Sequence, residues 1–267
     1  MRSRFLPGLF LCALLPGTPT QETPEALRAQ AELARSLGEQ GIWLDRERGV
    51  VGIPASVLVR RELLEYLLVG PNGAAHESLI LTPVRPSLLN AALLLLGVEP
   101  GRNARWEEQA SVSPADEHEQ GRPRRSVYPP EGDGFFLYAA WRERGETYFF
   151  RVEDLLANLE TGRTLRRHRW VFLGSRFATL RPGEPEVFLA DIEGNLVNIS
   201  FFFQGNTLLT PAVEECIEQT IWVANAWLVP PRDQPVRLFI AKNPLERLDP
   251  TWEQELPEVD PAAEEDR

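Results

Sequence analysis

His76-Glu77-Ser78 sets an imidazole, a carboxylate and a hydroxyl in three consecutive positions. On an extended segment His76 and Ser78 share one face and Glu77 takes the other. One reading has His76, Glu77 and Ser78 line a pocket with Asn90 and bind a ligand or a metal ion. The other has them hydrogen-bond the next turn and cap a helix that begins at Ser87. A metal centre needs at least three ligands held together, and neither His118 nor His168 stands at ligand spacing from His76. The group is therefore taken as a ligand-binding candidate, with no catalytic residue, no metal ligand and no cofactor assigned.

Other patterns carry less chemistry. Asp191, Glu193, Asn195 and Asn198 are rich in oxygen, but the later Glu of a calcium loop is missing; Gly194-Asn195 reads better as a hairpin turn. There is no phosphate-loop pattern and no Gly-x-Ser-x-Gly elbow. Asn198-Ile199-Ser200 is a formal glycosylation sequon inside an expected strand. Cys12 and Cys216 are the two cysteines. Acidic neighbours around Cys216 disfavour a thiolate, so a structural thiol is expected. Trp106, Trp141, Trp170, Trp222, Trp227 and Trp252 suit either a binding groove or the core.

The first twenty residues read as a secretory signal: Arg2 and Arg4 precede a short apolar run over 5–15, and Pro16-Gly17-Thr18-Pro19-Thr20 breaks it. The run is too short to span a bilayer, which takes ~20 residues. Cleavage before Gln21 would remove Cys12, leave one thiol and take the net charge from −11 to −13 by the loss of Arg2 and Arg4. A chain this acidic is not built for nucleic acid, which needs a basic face. The expected location is the periplasm or the exterior, with no membrane span once the signal is cleaved.

Apolar spacing predicts an opening helix within 21–40 and a main domain over 41–243. Strands are expected over 42–45, 50–59, 63–69, 135–141, 147–152, 170–173, 186–191, 196–203 and 236–241. Helices are expected over 87–96, 153–159 and 211–226. Residues 109–133 read as a polar loop or insertion, and 244–267 as an acidic, disordered tail. Strands outnumber helices without regular alternation, which predicts a single α+β domain with a mostly antiparallel sheet and a few short helices.

Several segments together resemble the YdjY-like family of uncharacterised bacterial exported proteins. They are Leu64-Glu65-Tyr66-Leu67-Leu68-Val69, Gly70-Pro71-Asn72-Gly73, His76-Glu77-Ser78-Leu79, Asn90 to Gly97, Trp170-Val171-Phe172-Leu173-Gly174-Ser175 and 191–200. Their order and spacing hold over 49–240. The family brings no established activity. Its ferredoxin-like label depends on cysteine clusters absent here, and its pattern often has His where this chain has Asn90. The expectation is an exported, non-catalytic binding or accessory protein of the cell envelope, with a protein or small molecule as partner. The alternative is a metal-dependent or His-assisted enzyme built on His76 and Glu77.

Overall fold

The computed structural model describes residues 23–108 and 125–263. The expected signal segment, Cys12, His118, most of the polar loop and the last four residues lie outside them. The chain divides into two units, Met1–Arg35 and Ser36–Arg267. Helix α1 (Pro24–Glu39) supplies the described part of the first.

The second unit is not an open, mostly antiparallel α+β sheet. Eight strands close into a mixed β-barrel, and only three further short α-helices occur among the described residues of this unit. In order around the ring they are β2 (Val50–Val57), β16 (Pro235–Ala241), β7 (Gly134–Glu143), β10 (Trp170–Phe172), β14 (Leu209–Thr210), β13 (Asn195–Asn198), β3 (Tyr66–Val69) and β4 (Ser78–Leu81). The ring shuts where Ser56 and Val57 pair with Leu81 and Ile80. The β13–β14 and β3–β4 pairs are parallel; the other six are antiparallel. Strands β1 (Trp43–Asp45) and β8 (Glu146–Arg151) extend the ring from β2 and β7, while β5 (Arg105–Glu108) pairs with β6 (Arg125–Tyr128) and β11 (Phe177–Ala178) with β12 (Val187–Phe188) outside it. Closure leaves the ring strands no free edge to protect.

The strands are long and apolar where the barrel needs them. Leu238 and Ile240 of β16 and Leu137 and Ala139 of β7 are buried on one face. By the two-residue period of a strand, Phe239, Ala241, Tyr138 and Ala140 point to the other. That second face is also covered. Trp252, Leu256, Leu245 and Leu248 pack on it together with Trp43 and Phe149. So residues 244–263, expected to be unstructured, lie along the barrel. The helical turn α4 (Pro250–Glu253) is capped by Asp249, whose carboxylate accepts from the Thr251 amide at 2.8 Å. Val259 donates to the Arg142 carbonyl and Arg142 to that of Pro257. Acidic composition hid three apolar anchors: Trp252, Leu256 and Val259.

Three further elements differ from expectation. Residues 153–159 form a 3-10 turn (Val152–Leu155) and strand β9 (Leu156–Asn158) instead of a helix. Residues 211–226 give a 3-10 turn (Glu214–Ile217) and strand β15 (Trp222–Ala224), which pairs with β9. Ile221, Trp222 and Val223 are β-branched or aromatic and suit a pleated surface better than a helix. The expected 186–203 hairpin is interrupted by helix α3 (Leu189–Glu193), and Gly194 closes that helix in the left-handed region, φ 71°. The helix over 87–96 is found as α2 (Pro86–Leu94), with Pro86 in its first turn. No helix among the described residues is long and apolar enough to cross a membrane.

Candidate functional site

The barrel separates the residues first singled out. His76 and Glu77 stand on a 3-10 turn (Ala75–Glu77) ahead of β4, not on a strand. The His76 side chain is 79% exposed and its Nε2 lies 3.5 Å from Glu77 Oε1. Ser78 is fully buried and donates to the Ile80 carbonyl at 3.3 Å. Asn90 lies on α2 facing Gly174, where a Cβ would sit 3.5 Å from its Oδ1. Gly174 donates to Leu208, and Leu208 to Leu196, so Asn90 belongs to the Val69–Leu81 end of these strands. His76 belongs to the opposite, Tyr66–Ser78 end. The four residues do not share a pocket.

At the His76 end the sequence reading missed Glu65. Burial raises its carboxyl pKa, and the facing Glu77 carboxylate raises it further. The Tyr66 phenol is pushed up to about 12 by burial and by Glu65, Glu77 and Glu193. Among the described residues no three His, Cys, Asp or Glu side chains converge to hold a metal ion. The oxygen-rich 191–198 stretch is dispersed as well. Asp191 accepts from the Ser87 amide at 2.8 Å and so caps α2, while Asn195 accepts from the Ala74 amide at 3.0 Å. Asn198 and Ser200 are fully buried, which closes the sequon to a glycan. Burial raises the pKa of the Cys216 thiol, with Glu215 adding to it, so this cysteine is structural.

The strongest polar construction lies at 151–168. Glu153 is completely buried. Its Oε1 accepts from Trp170 Nε1 at 3.0 Å and from the His168 amide at 3.3 Å, and its Oε2 from Arg151 Nε at 3.0 Å. Arg151 Nη2 also bonds Oε1 and reaches the His168 carbonyl at 2.6 Å. The Arg151 guanidinium lies over the rings of Phe136 and Tyr138 at 5.2 and 5.3 Å. A buried charge survives only when paired and hydrogen-bonded; here four donors surround one carboxylate. His168 Nδ1 lies 2.8 Å from the Arg166 carbonyl, so that nitrogen carries the proton and donates. Nε2 then faces inward without a partner among the described residues. Burial lowers the His168 pKa.

This network fixes the backbone on either side of an open cavity of about 340 Å³. One wall is a tight hairpin. Asn158 Oδ1 accepts from the amides of Glu160 and Thr161 at 2.9 and 3.1 Å, and the Asn158 amide donates to the Arg163 carbonyl at 2.8 Å. Gly162, φ 66°, makes the turn. The other wall carries Asp154, Arg166, Arg167 and Glu215. Arg167 grips Asp154 through two bonds, 3.0 and 2.7 Å. Glu215 accepts from the Arg166 amide at 3.0 Å. Leu165 is buried and supplies the apolar part of the lining. By contrast, the aromatic crevice between Trp43 and Trp252 measures about 10 Å³, room for a water at most. The signal for the site was present in Arg163-Thr164-Leu165-Arg166-Arg167, an arginine-rich run in the unassigned stretch between the expected helix over 153–159 and the expected strand over 170–173. Comparison with family models, curated proteins and solved structures finds no match.

Proposed function

We propose that this chain is an exported, non-catalytic binding protein whose ligand occupies the cavity between the 158–163 hairpin and the Arg166–Glu215 wall. The carrying observation is that a polar cavity of ligand size is built on backbone held rigid by a buried, fully satisfied carboxylate. About 340 Å³ is at the small end of ligand pockets, which run ~300–1000 Å³. Polar groups fixed in advance lower the ordering cost of binding. Export is supported by the charged and apolar start of the chain, and kinship with YdjY-like proteins by the segment series over 49–240. The test is thermal denaturation against a panel of small polar metabolites, using the intact protein and Thr164→Trp, which fills the cavity. The reading expects at least one compound to raise the Tm of the intact protein and not of the variant. Equal shifts in both would overturn it.

A further inference from the structure

We infer that the ligand of this cavity is a small polyhydroxylated monocarboxylate, a compound of the sugar-acid class. The inference rests on the cavity being the ligand site. Three arginines line the cavity: Arg163, Arg166 and Arg167. Arg167 is committed to Asp154. Arg163 and Arg166 make no ion pair among the described residues. Both are nevertheless anchored through their backbones. The Arg163 amide donates to Thr161 Oγ1 at 3.3 Å and its carbonyl accepts from Asn158. The Arg166 amide is held by Glu215 and its carbonyl by His168. Two arginines on anchored backbone, with no ion pair among the described residues, can offer paired N–H donors to a planar, two-oxygen anion, the partner that arginine reads best.

The rest of the wall selects what accompanies that anion. Asp154 and Glu215 offer acceptor oxygens, and Thr161 and Thr164 offer hydroxyls. These suit a ligand that donates several O–H groups. The carboxylates also limit its charge. Three cations against two anions leave one net positive charge, which matches a monoanion and disfavours a phosphate ester carrying nearly two. Leu165 is the one aliphatic side chain in the lining, too little for an aromatic ring.

Isothermal titration of the full chain with D-gluconate, D-glucose 6-phosphate and D-glucose decides the matter. D-gluconate should bind and should weaken on going from low salt to roughly 0.15 M, where the screening length is about 8 Å. Both the double variant Arg163→Gln/Arg166→Gln and the use of neutral glucose should cost about tenfold in affinity or more, 1.4 kcal/mol per decade. Both arginines are exposed, so the variant is expected to keep the circular dichroism and Tm of the parent. Glucose binding as tightly as gluconate, glucose 6-phosphate binding more tightly, no heat from any of the three, or a silent double variant would each overturn the assignment. Thr164→Trp separates the two levels. Loss of glucose binding in that variant, with the double variant silent, rejects the acid and keeps the cavity. Gluconate binding that survives Thr164→Trp rejects both.

Discussion

Replacing Glu153 tests whether the buried carboxylate organises the site. Glu153→Ala removes the acceptor for Trp170 Nε1, for the His168 amide and for two nitrogens of Arg151. The Arg151 side chain is only 12% exposed, so water does not replace the lost charge. Breaking a buried ion pair from one side costs roughly 3–5 kcal/mol. An unsatisfied buried donor costs roughly 1–3 kcal/mol, but Arg151 keeps the His168 carbonyl, and the terms are coupled and do not add. The expected loss is about 4 kcal/mol for Ala and about 2 kcal/mol for Glu153→Gln, which keeps one acceptor oxygen but turns an amide N–H toward Arg151. Urea denaturation followed by tryptophan fluorescence measures both, with an unchanged m value as the check on two-state behaviour. A loss below about 1 kcal/mol for Ala, or a gain in stability, would refute the claim that this carboxylate holds 151–168 together.

Other consequences are independent of that one. The folded-state pKa of His168 is lowered, so between its folded value and the ordinary ~6.5 the unfolded chain binds the extra proton and stability falls with falling pH. His168→Gln should flatten the stability curve below about pH 6.5, and an unchanged slope would contradict the assignment. Trp252→Ala should cost about 3 kcal/mol, because its ring packs on Trp43 at 4.8 Å and Phe239 at 5.6 Å; chain removal after Asn243 should cost at least as much. A Cβ at Gly134 would collide with the Trp170 carbonyl oxygen, so Gly134→Ala should lower stability by about 2 kcal/mol in the same urea assay.

Local pattern foretold strands where apolar runs are long and charged turns flank them, as at Arg144-Gly145-Glu146 between β7 and β8. It also foretold α2, through Pro86 and its apolar run. Barrel closure was not legible, because it depends on two residue pairs, Ser56–Leu81 and Val57–Ile80, with no local signature. The parallel pairing of β3 with β4 was equally hidden. His76 and Asn90 drew attention by residue type, but strand register sends them to opposite ends of β4. The cavity depends on a different kind of information. Glu153, Arg151 and Trp170 come from three elements, and only the fold shows that one carboxylate serves four donors, from Arg151, His168 and Trp170. The buried Trp252, Leu256 and Val259 show the converse error, in which an acidic composition average concealed three anchoring side chains.

The most direct measurement of the central claim is an amide-shift map by NMR, recorded while the compound that raises the Tm most is titrated in. The amides of Arg163, Thr164, Arg166 and Glu215 should shift together and saturate at one stoichiometric equivalent, with those around His76 unmoved. Saturating shifts centred on Glu65, His76 and Glu77, with the 158–167 amides unmoved, would contradict it.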